Sequence, residues 1–384
     1  MALSIYHCSG TMDSPTLRGK LVNVSNIRLL WGIPGGIQAV EFDYDVDPIT
    51  AYDFYSDNVG DRIIVADQFF DYPVAEAWIY GVALSPAGCS IMCRGPWFRH
   101  FDLFDDTVYN LTDTSSAIIK DSISNFVPVM SDDQSNIDET SFALNASGTW
   151  DLSEFGLYTG DLISKFAAMS NSSYNQWNYW VRSAPFVGLT PQKPIAYFEE
   201  QVDDGTFDYQ IYKRDIGKQG VTQSRDIEGL ANRVLVIYRD IVGGEQSITA
   251  WASDSDSQTK FWTREAVLSG GQMVPDGADQ YRSFSLAKLK DPMLSRSMTI
   301  TAPKIRDSSG ASWPLWYPIK TGGGYLKIND LYPDTNIFST SWDRKRIGQM
   351  MTLEYSDAAY SLRVVMDMED SRIDALLAKM ETTL

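Results

Sequence analysis

Alternation of side chains with a period of two constrains this chain more than any other feature. Residues 77–102, reading AWIYGVALSPAGCSIMCRGPWFRHFD, carry it best. Trp78, Tyr80, Val82 and Leu84 fall on one face of a strand. After the turn Ser85-Pro86-Ala87-Gly88 the face resumes with Cys89, Ile91 and Cys93, so the stretch predicts a β-hairpin. Pro86 presets the φ of about −65° that a turn accepts, and Gly88 lets the backbone swing back. Gly95-Pro96 then ends the second strand, because proline has no donor for the ladder. The run Trp97-Phe98-Arg99-His100-Phe101-Asp102 reads as a corner leaving a barrel.

The same alternation marks candidate strands at 17–27, 39–46 and 62–65, punctuated by Gly32-Ile33-Pro34-Gly35-Gly36, and no helical period survives a full window before residue 106. Beyond it the period changes. Thr112-Asp113 can cap a helix in which Ile119, Ile123 and Phe126 recur, with Pro128 as its stop. A second helix over 161–169 puts Leu162, Phe166 and Met169 on one stripe. The polar stretch 132–150 reads as loop, and a strand at 177–180 and a linker at 185–194 close this piece. Strand character returns with 233–239, whose Gly243-Gly244 turn leads to 247–252; both are assigned to one barrel. Strands at 298–305, 325–331 and 350–355 follow, while 362–366 alternates only weakly. Gly322-Gly323-Gly324 reads as a flexible joint. The chain ends on an amphipathic helix capped by Ser371 and Asp374, with Ile373, Leu376, Leu377 and Met380 on its stripe.

These elements define a β-rich multidomain α+β chain. We expect a β-barrel-type domain over 1–106, an α/β insertion over 107–194, a second β-barrel-type domain over 195–330, and closing strands with the C-terminal helix over 331–384. With 384 residues, more than one core is expected. The formal charge of −18 repels phosphates and speaks against a DNA reader. Three cysteines without an apolar leader predict free thiols made in a reducing compartment. No apolar run has the length of a membrane helix.

Constellations that can carry chemistry are sparse. Cys8, Cys89, Cys93 and His100 invite a zinc site, but Cys89 and Cys93 on one strand stand roughly 13 Å apart at about 3.3 Å per residue. Buried small hydrophobes are the expectation for all three thiols. Asp254-Ser255-Asp256-Ser257-Gln258 with Glu265 partly matches a calcium loop, yet Thr259 stands where that loop needs glycine, so a solvated loop between strands is expected. No Gly-x-Ser-x-Gly elbow, phosphate loop or His-Glu-x-x-His motif is present. Asp203-Asp204 and Asp105-Asp106 read as solvated acidic loops. Among the tryptophans, Trp97, Trp177, Trp180, Trp313 and Trp316 lie near proline or asparagine and are the candidates for exposure, though core packing stays the expectation for them as well. No catalytic, cofactor-binding or metal-ligating residue is assigned.

A hairpin preceded by Gly60-Asp61-Arg62-Ile63 and closed by Cys93-Arg94-Gly95-Pro96-Trp97, running into Arg99-His100-Phe101-Asp102, resembles the baseplate or tail-tip hub proteins of tailed bacteriophages and of related contractile injection machines. The resemblance implies a barrel, an α/β insertion and a second barrel along one chain. It implies no enzymatic role and no cofactor. The expected role is a homo-oligomeric ring, a trimer, around a channel in the virion tail tip, assembled from chains made in the host cytoplasm. Its expected partners are a tail tube or distal tail protein and a spike, fibre or tape-measure protein, with DNA only in passage and no membrane insertion. The acidic excess is then expected on the channel wall and outer rim, with Arg233, Arg239, Arg344 and Arg346 at subunit contacts or paired with carboxylates. Two readings from other classes stay open: a carbohydrate-binding receptor or decoration protein of the virion, motivated by the aromatics, and an acidic hydrolase using two carboxylates.

Overall fold

The alternating N-terminal stretches pair as antiparallel strands in a computed structural model, which describes residues 3–11, 14–67, 73–138, 149–151, 157–168, 177–187, 190–200, 206–227, 229–330 and 347–366. The strands are β1 (Ser4–Thr11), β2 (Ser14–Lys20), β3 (Val24–Gly32), β4 (Gly35–Tyr44), β5 (Arg62–Ala66), β6 (Pro73–Ser85) and β7 (Gly88–Arg94). The strand expected over 17–27 is two strands, because Asn23 takes a left-handed φ of 62° where the chain turns between β2 and β3. A helix that the sequence pattern does not show, α1 (Pro48–Asp57), interrupts the series. Asp47 caps it, accepting from the N–H groups of Ile49 and Thr50 at 3.0 and 3.1 Å, and Pro48 occupies the first turn, where no donor is required. Its buried residues are Ala51 and Phe54, too short a stripe to register as a period.

The hairpin of β6 and β7 forms with one correction. The register shifts between Ile79 and Gly81, so Tyr80 sits in a bulge. A one-residue shift exchanges the two faces of a strand. Ile79, paired with Cys93, points into the sheet's own core with Cys89 and Ile91, whereas Trp78 points the other way. Gly95 then leads into a 3-10 helix, Pro96–Phe101, at the expected corner.

The middle of the chain supplies β8 (Val108–Asn110), α2 (Ser115–Phe126), β9 (Thr149–Asp151), α3 (Thr159–Ala168), β10 (Trp177–Arg182) and β11 (Ile195–Glu200). The cap of α2 is Thr114, whose hydroxyl accepts from Ala117 N–H at 3.2 Å, and the expected cap Thr112-Asp113 lies immediately before it. Then follow β12 (Tyr209–Tyr212), β13 (Thr222–Asp226), β14 (Arg233–Asp240), β15 (Gln246–Ile248), β16 (Ala252–Ser253), α4 (Ser255–Phe261), β17 (Glu265–Met273) and α5 (Pro275–Leu289). The described chain closes with β18 (Met293–Ile300), β19 (Ile305–Asp307), β20 (Ser312–Trp313), α6 (Tyr317–Thr321), β21 (Tyr325–Asn329), β22 (Ile347–Ser356) and β23 (Ser361–Met366). The helix expected around Ser371 and Asp374 lies outside the described residues.

Pairing runs β2-β1-β5-β6-β7-β4-β3-β22-β23-β18-β13, antiparallel at every step. The two ends do not pair with each other, so among the described residues the barrels expected from the sequence are not closed. The junction of β3 with β22 joins the N-terminal strands to the C-terminal ones: Trp31 faces Leu353 and Leu29 faces Tyr355, all inside one core. Burying each such side chain contributes roughly 1.5–3 kcal/mol. Strand β23 alternates weakly because both of its faces are covered at its end, where Val364, Val365 and Met366 are buried in succession.

A second core gathers α2, α3, β10 and β11 with β14, β17 and α5. Here the structure departs from the reading of 233–252. Strands β14 and β15 line no barrel; they form a separate sheet in which β14 pairs β17 in parallel. A parallel pair needs a long crossover, and β15, β16 and α4 make it.

Candidate functional site

The stretch 77–102 lies between the two cores. Ile79, Ile91 and Cys93 belong to the antiparallel core; Trp78 and Trp97 belong to the other. Gly36, at φ 81°, lets β4 meet β10: a Cβ there would lie 2.4 Å from the Val181 carbonyl oxygen. His100 is fully enclosed at this seam, bonded to the Pro96 carbonyl at 3.1 Å and to the Tyr179 hydroxyl, and burial pushes its imidazole down to about 4. Arg62 and Glu76 form a buried ion pair on the outer face of β5 and β6, and Arg62 also donates to Gln192 O at 2.6 Å. That bond ties the sheet to the linker.

Each sequence candidate can now be placed. Cys8, Cys89 and Cys93 are free and buried, and burial pushes the Cys8 thiol up to about 11. His100 spends its nitrogens on the seam, and among the described residues no three ligands converge. Residues 254–261 are not a loop between strands: Asp254 caps α4 through Ser257 N–H at 2.9 Å and pairs with Lys290 at 3.0 Å, while Glu265 pairs with Arg233 at 2.6 Å. Arg239 donates to Gly244 O at 2.9 Å, and Arg344 and Arg346 lie outside the described residues. Asp105 is not solvated either. It is buried, accepting from Thr107 N–H, the Tyr109 hydroxyl and the Ser122 hydroxyl at 3.0, 3.0 and 2.6 Å, so its oxygens hold α2 in place. Asp203-Asp204 lies outside the described residues.

The tryptophans singled out as candidates for exposure are covered, as core packing has it. Trp97, Trp177 and Trp316 are buried, and Trp180 and Trp313 are half-buried, stacked on Tyr197 and Tyr317 at 5.5 and 4.2 Å. Neighbouring Pro and Asn do not report exposure when the turn itself is covered. Among the described residues the exposed indoles are Trp251 and, at 82%, Trp262, which holds a left-handed φ of 60° after α4.

Three surface features remain. A groove of about 830 Å³ runs along the outer face of the hairpin, lined by Val59, Trp78, Tyr80, Arg94, Phe98 and Phe101. Arg94 lies over both Tyr80 and Phe98, with its charged carbon 3.6 and 4.8 Å from the ring centres, while Asp102 at the same groove pairs with Arg99 at 2.8 Å. The second feature is the outer face of the β14–β17 sheet. Register puts Leu235 beside Val267 and Ile237 beside Ile248, and Val267 and Ile248 are 57% and 61% exposed. Trp251, under Arg233, extends this face. Such contiguous apolar exposure marks association surfaces.

The third is a small pocket of about 270 Å³ walled by Gly322-Gly323-Gly324. The expected flexible joint is a packed turn: the three glycines take φ 94°, 81° and 114°, and added Cβ atoms would lie 2.6, 2.3 and 2.4 Å from Trp180, Trp31 and Asp208. Only glycine fits there. Asp208 anchors the turn by accepting from Tyr325 N–H at 2.8 Å.

The fold is that of phage tail proteins. No protein-family model matches the sequence, and no curated protein matches it. Among solved structures, the chain is similar to the 43 kDa tail protein of prophage MuSo2 from Shewanella oneidensis, with a TM-score of 0.57, 10% identity, and 95% of this chain and 98% of that one covered. It is similar to the tail protein from Neisseria meningitidis MC58, with a TM-score of 0.57, 10% identity and 98% of each chain covered. It is also similar to prophage tail protein gp18 from Listeria monocytogenes EGD-e, with a TM-score of 0.52, 11% identity and 99% of each chain covered.

Proposed function

We propose that this chain is a structural protein of the virion tail, a tail-tip or baseplate hub that assembles as a ring, a trimer, around a central channel. It joins the tail tube or distal tail protein to the spike, fibre or tape-measure parts, and DNA meets it only in passage. The observation that carries the reading is end-to-end similarity to three tail proteins, two of them from prophages, covering 95 to 99% of this chain and 98 to 99% of theirs. That the similar solved structures are tail proteins supports a structural, non-enzymatic role. The acidic surface supports passage, because a lumen rich in Lys and Arg would hold phosphates by counterion release.

Within this reading, subunits meet away from the free sheet edge. Strand β2 carries Pro15, Arg18 and Lys20, features that blunt an edge against pairing. Contact between copies therefore falls to the apolar faces, foremost the hairpin groove and the β14–β17 face. Negative-stain imaging of the purified chain tests this: rings with a central hole are expected, and compact single particles at every concentration overturn it.

A further inference from the structure

We propose that copies of this chain join by seating helix α1 of one copy in the hairpin groove of the next. The proposal rests on the hub reading and deepens it, because it names the two surfaces through which copies meet. The groove is apolar with a basic excess. Val59, Tyr80 and Phe98 are exposed in it, and its arginines, Arg94 and Arg99, outnumber its one carboxylate, Asp102. Arg94 is stacked on Tyr80 and Phe98, and a guanidinium held by its face still offers its edge N–H groups to a carboxylate. The complement of such a groove is a segment with apolar knobs, carboxylates and no cation.

Helix α1 presents that face. Ala51 and Phe54 pack into the antiparallel core, while Ile49, Tyr52 and Tyr55 are 75%, 58% and 49% exposed. At 3.6 residues per turn Ile49, Tyr52, Asp53 and Ser56 share one stripe, with Asp57 at its border. The helix carries no lysine or arginine, and Asp57 stands in its last turn, where the macrodipole is already negative. Like charges there are unfavourable, and a cation supplied by a second copy offsets them. The helix cannot fill its own groove: Asn58 leads directly from α1 to Val59 and Gly60 in the groove wall, and the core-facing side of α1 turns its bare side away from the sheet. An apolar helix face laid in a groove is a common mode of recognition, and a contact in which each copy gives one surface and receives the other can close into a ring.

The test is native mass spectrometry of the full chain at roughly tens of micromolar, where interfaces of standard size assemble. Three variants are compared with the natural chain: Arg94→Glu, Asp53→Arg with Asp57→Arg, and all three substitutions together. We expect each of the first two to assemble at least about tenfold more weakly and the third, with the charges exchanged, to recover. Arginines in the last turn suit α1 itself, so lost assembly in the second variant is not lost folding, and melting curves check this for all three. In a separate experiment a chain with Asp53→Cys is mixed with a chain with Arg94→Cys under mild oxidation; the natural thiols are buried, and a disulfide-linked pair joining the two different chains is expected. A natural chain that stays monomeric overturns the hub reading and this contact together. Assembly by the natural chain with equal assembly by the first two variants, or with no linked pair in the mixture, overturns this contact alone.

Discussion

The two cores bury comparable aromatic and aliphatic side chains but treat their outer surfaces differently. In the antiparallel core, β3 and β22 meet in the interior of the pairing path, and Leu29, Trp31, Leu353 and Tyr355 are enclosed. In the α/β core, β14 and β17 hide Val234, Val236 and Leu268 on one face and leave Val267 uncovered on the other. Apolar residues of the first kind hold the chain together. Those of the second kind are available to something outside it. If that distinction is right, equal changes of hydrophobicity in the two places have unequal consequences.

The largest effect belongs to the antiparallel core. Trp31→Ala removes a ring that packs between Leu353 and the Gly323 turn, and it should lower the stability of the whole chain by about 3–5 kcal/mol. Chemical denaturation measures this; a loss below 1 kcal/mol, in order of magnitude, would mean that the two halves of the sheet do not share a core.

Next comes the seam between the cores. His100 is held neutral by burial, with its pKa pushed from 6.5 to about 4, so the unfolded chain binds a proton that the folded chain refuses. Stability from this group is complete above pH 6.5 and is lost as pH falls towards 4, by about 3 kcal/mol in all. Denaturation curves at several pH values across that window should show the loss in the natural protein and a shallower one in His100→Gln. Parallel curves for the two would place the acid sensitivity elsewhere.

The smallest effect on stability is expected on the bare face. Ile248→Asp with Val267→Asp should change the free energy of folding by no more than about 0.5 kcal/mol for each site, since both side chains already face solvent. Assembly of the same variant should weaken markedly. Unfolding of the variant, or assembly equal to that of the natural chain, would erase the contrast between the two cores.

The antiparallel core was legible in the sequence where one face of a strand is buried and the other is not, as in β7. The hairpin at 77–102, the turn at Gly32 to Gly36 and the strand of 350–355 all follow from period two. Legibility failed where burial came from both sides or from neither. Weak alternation in 362–366 reflects burial on both faces of β23 at Val364, Val365 and Met366, and the face given to Trp78 was lost to a bulge at Tyr80 that alternation does not encode. Helices α1 and α5 escaped notice because their buried positions make no long stripe; α5 buries Gly277, Ala278 and Ser285 beside Tyr281 and Phe284. For β14 and β15, strand character was read correctly and the partner was not, since a parallel pairing with β17 across a crossover leaves no local mark.

The pocket was illegible for a similar reason. Its residues come from β10, β11, β12, the Gly322-Gly323-Gly324 turn and β22, and nothing in the sequence brings these together. The triple glycine was the one available signal. Read as flexibility, it misled; read as three positions where a side chain would collide with Trp180, Trp31 and Asp208, it would have pointed to close packing.

The central claim is that this chain builds a ring in a phage tail, and native mass spectrometry of the full chain tests it most directly. At roughly tens of micromolar, where interfaces of standard size assemble, the account predicts a closed oligomer, a trimer, that also captures a tail tube protein. A chain that stays monomeric across that range and leaves the tube protein unbound would contradict it.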